Sequence, residues 1–272
     1  MLRYDDINDI SDGKLYDSED LVKAGTNGCQ GCSRCCESDM GNTIELTPYD
    51  MYNLIRGTGE SLDELLSEFK IELSMIDGII LPNLKMDKGC SFLKGGRCEI
   101  HEFRPGICRL FPLGRLYNKD GFDYFLQKNE CALDEALRTD VRVSEWIGIR
   151  DLEANTQFIN KWHKFLKFER KKIGTIREMA SNEVKRLQEI DEDSLKTLAH
   201  IMNEDEQYGE LGASEYRKRR INDTIESSET KIKEVMKTVI RLLYLDKYDI
   251  DRDFYQQFDE RLRKCLAEIR RK

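Results

Sequence analysis

Apolar residues recur at helical spacing over the second half of the chain and in short, broken stretches over the first. Phe158, Ile159, Trp162, Phe165 and Leu166 form one stripe, and Ile232, Val235, Met236, Val239, Ile240 and Leu243 form another. Phe254, Phe258, Leu262, Cys265, Leu266 and Ile269 make a third helical face. From about Val141 the chain therefore reads as helical almost throughout, including Met179 to Met202, with Asn203 to Ser214 and Asn222 to Glu229 as polar loops or helix ends. These stripes read as core. Upstream, Thr47-Pro48-Tyr49-Asp50 offers a cap, a proline suited to the first helical position and an acid at the third, and Ser61-Leu62-Asp63-Glu64 repeats that logic. Two helices are expected between Cys36 and Cys90, preceded by a short strand at Ile44-Glu45-Leu46.

Short strands are expected among the later cysteines. Between Cys90 and Cys98, Gly95-Gly96 separates two brief segments, and glycine pairs suit the positive φ angles of a two-residue hairpin loop. Cys90 and Cys98 then share one small ribbon. A second hairpin runs from Leu113 to Leu126 about Asn118-Lys119-Asp120-Gly121; if Tyr117 pairs with Phe122, paired positions sum to 239, as do 108 and 131. That register carries Cys108 and Cys131 toward each other, although Pro112 interrupts the ladder before it reaches them. The pattern predicts an α+β protein: an acidic N-terminal segment over 1–24, a small cysteine-rich metal-binding domain of hairpins and helices over 25–140, and an all-helical region over 141–272.

Composition adds a soluble globular class: 272 residues, 39% apolar and 35% charged, are enough for one large domain or two small ones. With 44 Lys and Arg against 52 Asp and Glu, the net charge of −8 favours neither nucleic acid nor an anionic membrane as partner. The run Arg217-Lys218-Arg219-Arg220 reads as an exposed helix face. The acidic start does not resemble a secretion signal, and no stretch approaches the roughly 20 apolar residues of a membrane span, so a cytoplasmic protein is expected.

A reducing compartment changes how the nine cysteines are read, because thiols there more often bind metal or carry redox chemistry than form structural disulfides. Eight lie between Cys29 and Cys131. Cys29, Cys32, Cys35 and Cys36 form a C-x-x-C-x-x-C-C run, followed by Cys90, Cys98, Cys108 and Cys131. Two intervening residues let a tight turn aim both sulfurs at one metal. Adjacent Cys35 and Cys36 would point oppositely on an extended backbone, so they serve different centres or one is a supporting or redox thiol. Cys265 is assigned to the helical core.

A thiolate site needs compensating charge. Arg34, Lys88, Arg97, Arg104 and Arg109 are near cysteines in sequence; Arg104 and Arg109, which bracket Cys108, are read as supporting the site, and Lys88 and Arg97 as solvated. His101 is a minor candidate ligand, whereas His163 and His200 read as structural. Phosphate-loop, dinucleotide-binding, H-E-x-x-H and G-x-S-x-G motifs are absent, and no catalytic acid, base or nucleophile can be named, which leaves enzymatic activity open.

The cysteine run, with Cys90-x-Phe92-Leu93, Cys98-x-Ile100-His101, Arg104-Pro105-x-x-Cys108-Arg109-x-Phe111-Pro112 and Cys131, resembles the YkgJ-type cysteine-cluster family over roughly residues 25–135. The resemblance implies a zinc- or iron-chelating CxxCxxCC domain, often labelled an iron–sulfur-cluster protein, with the eight cysteines as ligands. Val141 to Phe168, with Trp146, Trp162 and His163, resembles the family's helical continuation in clostridial members. A related pattern in flagellin lysine N-methylases gives a third reading, a protein-modifying enzyme. Iron–sulfur and zinc use the same thiolates. The favoured expectation is an iron–sulfur cluster, such as 4Fe-4S, with a redox or electron-transfer role, because C-x-x-C-x-x-C is similar to the start of a bacterial ferredoxin signature. The alternative is zinc, in a metal chelator or in a structural protein whose helical C-terminal region binds a protein partner.

Overall fold

The structure, a computed structural model, describes residues 6–26, 33–39, 44–87, 89–128, 130–131 and 135–272; the sequence-predicted ligands Cys29 and Cys32, and Lys88, lie outside them. After the short helix α1 (Ile7–Ile10), β1 (Leu21–Gly25) pairs antiparallel with the later β9 (Thr139–Arg142). Gly25 is required there, since a Cβ would stand 2.2 Å from Thr139 Oγ1. The acidic leading segment thus enters the fold at the border where the helical half begins.

Cys35–Asp39 is a π-helical turn, followed by β2 (Ile44–Glu45), α2 (Pro48–Thr58) and α3 (Leu62–Ser67). Both helices carry the expected capping boxes, built by Thr47 with Asp50 and by Ser61 with Glu64. The interval to Cys90 also holds a hairpin of β3 (Ile71–Ile76) and β4 (Ile79–Leu84), so the two-helix expectation was incomplete. Asp77 and Gly78 turn this hairpin with positive φ at both positions, and β2 joins on the other side to give the order β2-β4-β3.

The smaller ribbon comprises β5 (Leu93–Lys94) and β6 (Arg97–Cys98), with Gly95 and Gly96 both at positive φ, as the glycine pair predicts. A 3-10 turn over His101–Phe103 leads into α4 (Gly106–Leu110) and then to β7 (Leu113–Tyr117) and β8 (Phe122–Leu126). Tyr117 pairs with Phe122 and Leu113 with Leu126, which is the register expected from the sequence.

Beyond a 3-10 turn at Glu135–Leu137 and β9, the chain is helical: α5 (Val143–Ile147), α6 (Leu152–Glu189), α7 (Glu192–Ile201), α8 (Asp205–Ile240), a π-helical turn over Arg241–Leu245 and α9 (Phe254–Arg271). The protein is α+β, with small sheets and a long helical C-terminal region. At 38 residues, α6 is about 57 Å long. Of the stretches read as polar loops or helix ends, Asn203 to Ser214 holds the start of α8 and, at Gly212 (φ 72°, ψ 163°), a break where two helical segments meet, whereas Asn222 to Glu229 is continuous helix. A weak apolar stripe was mistaken for a loop: Glu, Ser, Lys and Arg are tolerated in an exposed helix between well-packed ends. The basic run in α8 is tied down locally, with Arg217 donating to the Leu187 and Gln188 carbonyls and Arg220 meeting Glu204 at 3.2 Å.

One core joins the cysteine-bearing half to the helices. It contains Leu54, Leu65, Ile79 and Leu81 together with Phe158, Trp162, Val235, Val239, Phe258 and Cys265. Tyr244 OH adds a 3.0 Å hydrogen bond to the Leu46 carbonyl beside β2. Cys265 is fully buried in this core, as its helical spacing predicted. Among the described residues, no helix is long and apolar enough to cross a membrane.

Glu169, on α6, is fully buried and neither carboxylate oxygen has a hydrogen-bond partner. Burial pushes its pKa up to about 8, opposed by the nearby Arg170 charge. Between the unfolded-chain pKa near 4.5 and this value, the folded protein holds a proton that the unfolded chain releases, so stability contributed by neutral Glu169 falls as pH rises. Relative to Glu169→Gln, the wild-type protein should lose about 1–3 kcal/mol of unfolding free energy between pH 5 and pH 7. Parallel denaturant curves at the two pH values check this; a constant difference would rule it out.

Candidate metal centre

Each local element presents its cysteine for a physical reason. Cys90 and Cys98 are each followed two residues later by a buried side chain, Phe92 and Ile100, which are 2% and 3% exposed. Those residues anchor the ribbon in the core, and their backbone N–H groups face the Cys90 and Cys98 sulfurs closely enough to favour thiolate. The π-helical turn brings in the other strand of the site: Cys90 N–H donates to the Cys36 carbonyl at 2.6 Å. Gly89, at φ +105°, makes this approach possible, because a Cβ there would lie 3.2 Å from the same carbonyl.

Cys35 and Cys36 do not diverge as neighbours on extended backbone would. The turn leaves their sulfurs 3.9 Å apart, and Cys36 also contacts the Cys98 thiol. Cys90 and Cys108 are close enough to feel the charge of Cys35 and Cys98. Five half-buried cysteines separated by up to 73 positions thus come within electrostatic reach of one another, and none is in a disulfide. The thiol of Cys36 lowers the pKa of Cys35 and of Cys98 to about 7 by hydrogen bonding to their thiolate forms, and Arg104 adds to both shifts. Cys36 is pushed up by the same pairings, whereas burial raises Cys90 and Cys108.

Cys131, also half-buried, is held through its backbone carbonyl, which accepts from Arg138 Nη2 at 3.2 Å; among the described residues its sulfur has no hydrogen bond to the other five. The expected β register is real, but α4 takes Cys108 out of the ladder before the two cysteines can face each other. Among the described residues no group of three or more His, Cys, Asp or Glu side chains stands in a metal-holding arrangement.

Arg104 and Arg109 divide the supporting work. Arg104 acts electrostatically on Cys35 and Cys98, donates toward His101 Nε2 at 3.0 Å and has a buried Nε without a partner. Arg109 instead braces the preceding turn, donating from Nε to the Arg104 carbonyl at 3.2 Å and from Nη2 to the Glu102 carbonyl. His101 is exposed, and partial desolvation of its ring together with Arg104 and Arg109 lowers its pKa, favouring the neutral ring. Arg34 and Arg97 are exposed.

Two positioning residues escaped the sequence reading. Asp50, already recognisable as the acid of a capping box, is 5% exposed and accepts from Thr47 N–H at 2.8 Å, from Thr47 Oγ1 at 2.7 Å and from Gly106 N–H at 2.7 Å. It thereby couples the start of α2 to the start of the helix bearing Cys108. Burial raises its pKa, opposed by these three donors. Gly57 lies within α2, where a Cβ would meet the Phe103 ring at 2.1 Å. Its bare backbone lets α2 pack against the turn before Cys108.

The donor chemistry fits a thiophilic metal: soft sulfur ligands, backbone N–H groups facing sulfur, and a cation with an unpartnered buried nitrogen. Residues 28–132 match the model of the CxxCxxCC family, described as a "putative zinc- or iron-chelating domain". All eight clustered cysteines fall within that match. The uncharacterized protein MJ0939 of Methanocaldococcus jannaschii is 29% identical over 121 residues, covering 43% of this chain and 40% of the relative. This chain thus matches less than half of that relative's length. No solved structure matches the chain.

Replacing Asp50 by Asn removes accepted bonds while nearly preserving volume, and should lower unfolding free energy by about 1–3 kcal/mol. A denaturant midpoint equal to that of the wild type would show that this carboxylate does not couple the two helices.

Proposed function

Because residues 28–132 are a CxxCxxCC domain, we propose that the protein binds metal through its cysteine cluster, that the metal is an iron–sulfur cluster, and that its role is redox or electron transfer. The observation carrying this reading is that Cys35, Cys36, Cys90, Cys98 and Cys108 lie within electrostatic reach of one another, with Arg104 favouring the thiolates of Cys35 and Cys98. Cys29, Cys32 and Cys131 complete the proposed ligand set, and eight thiolates suffice for two four-thiolate centres. Bound there, an iron–sulfur cluster supplies one-electron chemistry.

The chain's own contribution is to hold and tune the sulfurs. Phe92 and Ile100 anchor two ligands and offer N–H groups to them, Asp50 and Gly57 position the Cys108 segment, and Arg104 offsets the negative charge that accumulates on several thiolates. A reducing compartment such as the cytoplasm suits this thiol chemistry.

Zinc is the second reading, favoured by the family description and by the smallness of the local elements, two-residue strands and a five-residue helix. In that reading metal staples the domain and the helical half binds a protein partner.

Anaerobic purification followed by metal, sulfide and absorption analysis separates the two. Iron with acid-labile sulfide and broad absorption at about 400 nm is expected; a colourless protein retaining about two zinc ions would overturn the iron–sulfur assignment. Cys98→Ser and Cys108→Ser should each reduce metal content, while Cys265→Ser should retain it. Equal retention by all three variants would refute the ligand assignment.

A further inference from the structure

Next to the Cys108 segment, but away from the sulfurs, a cavity of about 520 Å³ lies among β2, α4, β7 and α6. This volume is typical of small-molecule sites. Much of the wall is hydrocarbon, including Leu46, Leu81 and Trp162, while Arg115, His163, Lys167 and Arg170 bring nitrogen donors to it. Among the described residues Glu45 and Asp50 are the acids in the lining, and Arg170 is matched by Asp77 outside it, so Arg115 and Lys167 are the lining cations without a carboxylate partner. Asp50 is already occupied by Thr47 and Gly106.

The Arg115 guanidinium lies 5.1 Å from the Phe122 ring centroid and also meets Tyr117. Among the described residues, however, Arg115 Nε, His163 Nε2 and Arg170 Nε are buried without hydrogen-bond partners. Arg170 reaches Asp77 through Nη2 at 3.4 Å, but among the described residues neither Arg115 nor Lys167 has a carboxylate within ion-pairing distance. The His163 ring stacks on Tyr117, with centroids 3.7 Å apart and planes within 6°. Burial, with Lys167 and Arg170, lowers its pKa and favours a neutral imidazole. An unpaired buried donor carries an uncompensated desolvation cost, and an acceptor carried by a ligand relieves part of it after small side-chain adjustments.

We propose that this cavity binds an amphipathic monocarboxylate, its apolar body against the hydrocarbon wall and its carboxylate among Arg115, His163 and Lys167. Arg115 and Lys167, lining cations without a carboxylate partner among the described residues, supply the charge that a carboxylate head needs. The guanidinium also matches the planar carboxylate geometrically. The site does not depend on which metal the cysteines bind.

Titration calorimetry of the full-length, metal-loaded protein with decanoate, decyl phosphate and decanol tests the assignment. Decanoate should bind at one site about tenfold more tightly than either comparator. Arg115→Met should weaken decanoate binding by about tenfold, and Lys167→Met by roughly threefold, with decanol binding unchanged. Lys167 is exposed, so its variant tests the charge without disturbing the core. Absence of decanoate binding, equal or tighter binding of decanol or decyl phosphate, or unchanged decanoate binding by the Lys167 variant would each overturn the proposal.

Discussion

A single carboxylate couples the two segments on which the cysteine site depends. Asp50 belongs locally to the capping box of α2, yet one of its oxygens reaches 56 positions along the chain to the Gly106 N–H. Gly106 opens the short helix that carries Cys108. Such a helix has little stability of its own, so its direction is set by what its first N–H groups meet. Loss of this bond would leave a buried donor or acceptor unpaired. The bond is therefore a strong geometric constraint even if its net contribution to stability is modest.

Around that joint, burial and charge oppose each other at the sulfurs. Burial raises Cys90 and Cys108, which protects the thiol, while the Cys36 thiol and the field of Arg104 favour thiolate at Cys35 and Cys98. Metal ligation requires the second tendency to prevail. The two N–H donors supplied after Cys90 and Cys98 act in that direction without adding flexible side chains. Packing and electrostatics are thus linked at the same residues, since the backbone of Phe92 and Ile100 faces sulfur while their side chains enter the core.

The helices are part of this support. Phe158, Trp162 and Phe258 share a core with the sheet and with the partly buried Cys35, Cys90, Cys98 and Cys108. Removing apolar area from water provides the nondirectional adhesion, while Tyr244 binding Leu46 supplies a directional tie. The same packing brings α6 beside β7 and forms the cavity lined by Arg115 and His163. His163, which looked structural in sequence, gains its setting from a Tyr117 ring 46 positions away.

Local chemistry was legible wherever the interaction closed within a few residues. Thr47 and Asp50 announced a helix start, Gly95-Gly96 a tight turn, and the evenly spaced apolar faces of α6 and α9 their buried sides. Asp77-Gly78 is a comparable turn signal for the β3–β4 hairpin, and Pro82 within β4 is a residue that disfavours central strands. The long course of α8 was hidden because its exposed turns need no apolar repeat. By itself, the sequence determined the available thiols, the caps and turns, and the faces seeking burial, because these follow from side-chain type and short-range geometry. Only the tertiary structure decided that Cys36 meets Cys98, that Asp50 reaches Gly106 and that Arg115 and His163 share a cavity, because these depend on how separate elements pack and exclude water.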